Sequence, residues 1–168
     1  MIDFVNTLDL EKGTDELVGD GLDEWFAARR LRAPEATPLD DRERGHAIRL
    51  RESLRVLMLA NNGGVPDDQA GGTLEQIARR SGLGIHFAPD GAVTLAPSSQ
   101  DFAGSLARLL VPVARASSDG TWLRVKACRA DDCKWAFYDR SRNRSGVWCE
   151  MAVCGNRTKV RAYRERTS

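Results

Sequence analysis

The four cysteines of this 168-residue chain all lie between positions 128 and 154, as two C-x4-C pairs with fifteen residues between them. Cys128 and Cys133 form the first pair, Cys149 and Cys154 the second. Thiolate sulfur is a soft ligand, and four thiolates at the corners of a tetrahedron are what a structural zinc ion demands. Each short loop can turn its two sulfurs toward one point. The insert from Lys134 to Trp148 is long enough to leave the site as a strand, turn and come back. The residues therefore predict one structural zinc ion per chain. An iron–sulfur cluster, a redox disulfide pair and free thiols are the alternatives. Disulfides are disfavoured, because nothing else marks the chain as secreted.

Cys154-Gly155-Asn156-Arg157, with Cys149 upstream and the run Tyr138-Asp139-Arg140-Ser141-Arg142-Asn143-Arg144-Ser145 before it, resembles the CGNR zinc-finger family. The opening Asp3-Phe4-Val5-Asn6-Thr7 is similar to the start of the amino-terminal domain that accompanies that finger, described as part of putative stress-induced transcription regulators of bacteria. The two resemblances sit at opposite ends of the chain. Together they imply a regulator of transcription that uses its finger on DNA.

Charge divides the chain in the same place. Residues 1–118 hold 13 Lys+Arg against 18 Asp+Glu, net −5, while residues 119–168 hold 12 against 6, net +6. This asymmetry predicts two units, a mixed α/β regulatory or scaffold domain over 1–118 and a finger with a basic terminal helix over 119–168. Ser117-Ser118-Asp119-Gly120 reads as the hinge. With 42% hydrophobic residues the chain can bury one real core plus a small module. No stretch approaches a membrane span and Met1 leads into no signal sequence, so a soluble cytoplasmic protein is expected.

Periodicity places the elements. Ile2 to Leu8 reads as a short strand and Glu11 to Gly21 as a loop. Helices are expected from Gly21 to Leu31, from Thr37-Pro38 (Thr37 capping) to Asn61, from Thr73 to Ser81, and from Gln100 to Ala116 with a kink at Pro112. Ser98 or Ser99 caps the last of these. Ile85–Ala88 and Ala92–Leu95 flank Pro-Asp-Gly as a hairpin. Strands are expected at Trp122–Lys126, Lys134–Asp139 and Val147–Glu150, and a terminal helix at Arg157–Arg166, packed down by Val160 and Tyr163. The fold class is α+β, with a small treble-clef-like four-cysteine zinc finger at the carboxy terminus.

No phosphate loop, nucleophile elbow or acid pair in an apolar run is found, and no enzyme is expected. Four protein ligands would leave zinc no open position for water. His46 and His86 have no partner at ligand spacing. The basic residues decide more. Arg140, Arg142 and Arg144 crowd one turn, and Arg157, Lys159, Arg161 and Arg164 crowd the last helix. Residues 124–168 carry 12 basic and 5 acidic side chains, net +7, or +5 once a zinc tetrathiolate subtracts 2. These seven residues are the candidate nucleic-acid contacts, with Arg157 bracing the metal site as well. Duplex DNA is the expected partner. An RNA-binding module and a protein-interaction adaptor with a purely structural zinc are the rivals. A homodimer and an unknown small ligand of the amino-terminal domain stay open.

Overall fold

A twenty-residue helix, α3 (Asp41–Ala60), is the axle of the molecule. The computed structural model describes residues 1–33 and 35–167, without the side chains of Ala162 and Thr167. Helix α3 begins with a capping box: the Asp40 carboxylate accepts from the Glu43 amide at 2.7 Å, and Glu43 accepts from the Asp40 amide at 3.0 Å. The cap is therefore Asp40 and not Thr37, because a carboxylate at that position satisfies the first-turn amides and meets the positive helix end. Leu50, Leu54 and Met58 are fully buried along its inner face. Each such side chain contributes about 1.5–3 kcal/mol of burial free energy.

The opening Asp-Phe-Val-Asn-Thr run is a helical turn, α1 (Ile2–Val5), instead of a strand. Phe4 and Val5 are adjacent in sequence yet both fully buried, which an alternating one-faced strand forbids and an enveloped turn permits. Phe4, Trp25, Phe26 and Phe102 form a chain of tilted and edge-on aromatic contacts at 5.1–6.1 Å between centroids. After α1, β1 (Leu8–Asp9) pairs antiparallel with β2 (Thr14–Asp15), so the expected loop contains a small ribbon. Helix α2 (Gly21–Ala28) supplies Leu22, Trp25 and Phe26 to the core.

Helix α4 (Asp68–Arg80) starts five residues before Thr73, because Asp67 accepts from the Gln69 and Ala70 amides at 2.8 and 3.2 Å and carries the helix through Gly71-Gly72. The hairpin β3 (Leu83–Phe87) and β4 (Val93–Pro97) forms in register Phe87↔Val93. The last expected helix of this region is two: α5 (Phe102–Arg108), capped by Asp101 and not by Ser98 or Ser99, and α6 (Val111–Ser118). Pro112 lies at the first turn of α6. Its ring excludes the Arg108 carbonyl, so the break falls upstream of it.

Beyond α6, Trp122–Arg124 is a 3-10 turn, leaving only Val125–Ala127 as strand β5, which pairs antiparallel with β6 (Ala136–Tyr138). Val147–Glu150 pairs with no strand among the described residues. The Val147 carbonyl instead takes Asn62 Nδ2 at 2.8 Å and the Arg129 amide at 3.4 Å. A π turn (Met151–Gly155) leads into the terminal helix α7 (Asn156–Thr167). Val160 and Tyr163 on α7 are 49% and 63% exposed, so they do not pack the helix down as expected. Helix α7 meets mainly the π turn that precedes it.

Val125, Ala127 and Ala136 belong to the same buried cluster as Phe4, Leu50 and Met58. Polar bonds stitch the same seam. Asn61 Nδ2 donates to the Trp122 and Val125 carbonyls, and Asn62 Nδ2 to Ala127. Buried Arg55 donates to Val5 O at 2.6 Å and to Lys134 O at 2.8 Å. The Asn-Asn pair at the end of α3 thus serves more than helix termination: its amides hold the β5 backbone.

Candidate metal centre and the arginine surface around it

The β5–β6 hairpin presents its tip, Cys128 to Cys133, as a knuckle. The Cys133 and Lys134 amides fold back on the Ala130 carbonyl at 3.1 and 3.2 Å, and Lys134 takes a positive φ of 54° to leave the turn. The second pair arrives from the π turn. Cys154 lies buried near its end, its amide bonded to Glu150 O at 3.0 Å. Knuckle, hairpin and helix therefore form the expected treble-clef-like order, except that the knuckle is the turn of the hairpin itself.

All four sulfurs lie within 4.8 Å of one another. Cys133–Cys149 and Cys149–Cys154 are each 3.6 Å apart, too far for a bond, and all four cysteines are free. A tetrahedral zinc ion with Zn–S of about 2.3 Å spaces its ligands about 3.8 Å apart, so the cage fits that ion. The sulfurs also need a cation. The Cys133 thiol, donating to Cys128, draws Cys128 down to about 5 against the opposing effect of burial. The same contact, with burial, pushes Cys133 up, and burial pushes Cys149 up to about 12. One thiolate is favoured at Cys128, and Cys133 and Cys149 ionise only against a metal charge. Trp135 and Trp148 pack on the cluster as a small finger core.

The residues after Cys154 each have a structural task. A Cβ on Gly155 would fall 2.4 Å from Met151 Sδ and 3.0 Å from Trp148 Cδ1, so a larger residue there would displace the Met151 side chain and press on Trp148. Asn156 Nδ2 bonds Ala152 O at 3.1 Å, tying the π turn to α7. Arg157 turns inward. Its guanidinium meets Glu11 at 2.9 Å, Asp132 at 3.4 Å and Cys154 Sγ at 3.6 Å, bridging the site to the β1–β2 ribbon.

The arginine turn is built on a buried ion pair that composition and spacing gave no sign of. Lys126 and Asp139 are 4% and 3% exposed, with Lys126 Nζ donating to Asp139 Oδ2 at 2.7 Å. Lys126 also donates to the Arg144 and Gly146 carbonyls, and Asp139 accepts the Ser141 and Gly146 amides. Burial opposes ionisation of Asp139, but the Lys126 ammonium and those amides outweigh it and hold the carboxyl well below its usual range. A Cβ on Gly146 would sit 2.7 Å from Asp139 Oδ1, so glycine is required there. Arg124 braces the same turn through the Asp139 and Ser141 carbonyls at 3.0 and 2.8 Å.

This clamp leaves Arg140, Arg142 and Arg144 exposed, with no hydrogen bond or ion pair from their side chains among the described residues. Of the helix residues, Lys159 is exposed, Arg161 reaches Asp132 at 3.3 Å and Arg164 is exposed. Arg157 stands apart from the other six, being committed to the metal site.

The fold and site define a four-cysteine metal-site finger docked on an α+β domain. The comparisons agree. Residues 1–119 match the family described as "Putative stress-induced transcription regulator", and residues 124–167 match the CGNR zinc finger. The chain belongs to that regulator family and carries its zinc finger at the carboxy terminus. A search of the curated proteins found no match. No helix among the described residues is long and apolar enough to cross a membrane.

Proposed function

We propose that the chain is a zinc-dependent, duplex-DNA-binding regulator of transcription. Cys128, Cys133, Cys149 and Cys154 hold the ion. The observation that carries the reading is the turn Arg140–Arg144, three unpaired guanidinium groups presented on a loop rigidified by the Lys126–Asp139 pair. Arginine's planar fork suits phosphate oxygens and guanine edges alike, and a pre-ordered loop loses little entropy on binding. Lys159, Arg161 and Arg164 extend the basic surface along α7. In this reading zinc shapes the finger and performs no chemistry, the protein is not an enzyme, residues 1–118 act as regulatory scaffold and residues 119–168 as the contact unit, and the protein works in the cytoplasm.

The test is a salt titration of binding to duplex DNA, duplex RNA and single strands. With about five phosphates neutralised, log affinity falls against log salt with a slope of about −4 to −5. The triple variant Arg140→Ala, Arg142→Ala, Arg144→Ala flattens that slope by about 2 to 3. Preference for duplex RNA moves the proposal to the RNA rival. Curves that coincide, or no binding at low salt, leave a protein-docking finger, for which the exposed Met151, Val153, Val160 and Tyr163 supply an apolar surface.

A further inference from the structure

Away from the finger, a cleft of about 350 Å3 opens between α3, α4 and α5. Arg42, His46 and Arg49 reach it from α3, and Gln76 and Arg80 from α4. The spacings i, i+4, i+7 and i, i+4 put each set on one helix face, so the two rows converge. The floor is apolar, made by buried Leu106 and half-buried Ile77.

No acidic residue lines this cleft among the described residues. None of its three guanidinium groups makes a hydrogen bond or ion pair among the described residues. That is not for want of acids, since residues 1–118 carry net −5. Other arginines nearby do find partners: Arg44 meets Asp41, Arg51 meets Asp15, Arg55 meets Glu52 and Arg79 meets Glu75. Three like charges held together around an apolar floor repel one another unless an anion joins them. His46 feels the same field: burial first, then Arg49, Arg42 and Arg80, hold it below its ordinary value.

We propose that this cleft binds a small, multiply charged organic anion, its phosphate or carboxylate oxygens gripped by Arg42, Arg49 and Arg80 and its carbon skeleton resting on Ile77 and Leu106. Bidentate arginine–oxyanion pairs give such a site strength and orientation. A volume of about 350 Å3 is at the small end of ligand pockets, matching a metabolite-sized anion. A nucleic-acid backbone would extend past the cleft over a domain of net −5, whereas a metabolite-sized anion is contained within it.

The test is isothermal titration of the zinc-loaded full chain with 3-phosphoglycerate as probe and glycerol as its uncharged control, beside duplex-DNA binding by the same samples. Saturable binding of 3-phosphoglycerate is expected, with none for glycerol. The double variant Arg49→Gln, Arg80→Gln should weaken it at least about tenfold, and Ile77→Trp should block it by filling the floor, both with unchanged zinc content and DNA affinity. Arg49 and Arg80 are exposed, so the double variant retains the fold. No saturable binding up to about 10 mM, or binding undiminished in both variants, overturns the proposal. If the double variant weakens DNA instead, the cleft belongs to the nucleic-acid surface and the anion site is rejected. Loss of DNA binding by the finger variants alone bears only on the finger and leaves the cleft intact.

Discussion

Asn6 and Ala136 are 130 residues apart and joined like neighbours in a sheet: Asn6 Nδ2 donates to Ala136 O at 2.9 Å, and the Ala136 amide donates to Asn6 Oδ1 at 2.7 Å. One side-chain amide thus completes the free edge of β6 and fixes the finger's hairpin against α1. Replacing Asn6 with Ala leaves both backbone groups of Ala136 unpaired in a partly buried seam. The expected cost is about 2–3 kcal/mol, read as a lower urea midpoint with unchanged m-value. Asn6→Asp, which keeps only the acceptor, should fall between. A shift below about 0.5 kcal/mol would mean that water replaces the amide fully.

Zinc removal should unsettle the whole chain and not the finger alone. Val125, Ala127 and Ala136 share a core with Phe4 and Leu50, and Asn62 holds both Ala127 and Val147. Metal binding in small zinc modules contributes on the order of 10–16 kcal/mol and is coupled to folding. A strong chelator should therefore lower the Tm of a single calorimetric transition, and Cys154→Ser should hold less than one zinc per chain. Two separated transitions, the first confined to residues beyond about 120 in hydrogen exchange, would contradict this coupling.

Arg157 is expected to govern how long the metal stays. Its contacts to Cys154 Sγ, Asp132 and Glu11 disappear together in Arg157→Ala. Zinc transfer to a chromophoric chelator should then accelerate, while Arg157→Lys, which keeps the charge but not the planar fork, restores part of the delay. Equal transfer rates in wild type and Arg157→Ala would remove Arg157 from the site's support.

The Lys126–Asp139 pair predicts an acid sensitivity whose sign is fixed. Asp139 is held below the ordinary carboxylate range in the fold, so its stabilisation is complete above the unfolded value of about 3.9 and is lost as pH falls below it. Asp139→Asn should cost about 3–5 kcal/mol at neutral pH, since Lys126 is left buried without a counter-charge. Below about pH 4 the gap between the two proteins should narrow. Both carry the same four sulfurs, so the difference between their denaturation curves cancels metal release. A gap that stays constant down to about pH 2 would show that the pair does not titrate with the fold.

Spacing alone brought the four cysteines of the candidate metal site together, because each short C-x4-C loop can aim its two sulfurs at one point, and no other cysteine was available. Most helices were legible too, since α2, α3 and α4 bury one periodic face each: α2 starts at Gly21 as expected but stops at Ala28, short of Leu31, while aspartate caps set the starts of α3, α4 and α5 away from the expected threonine and serine positions. The short pieces were not legible. Over four residues, a helical turn and a strand give the same apolar pattern, so only the tertiary envelope around Phe4 and Val5 decided α1. The Lys126–Asp139 clamp and the Asn6–Ala136 pairing likewise join residues from separate elements. Local propensity carries no term for such pairs. They exist because burial of one core brings those elements together and obliges each enclosed polar group to find a partner.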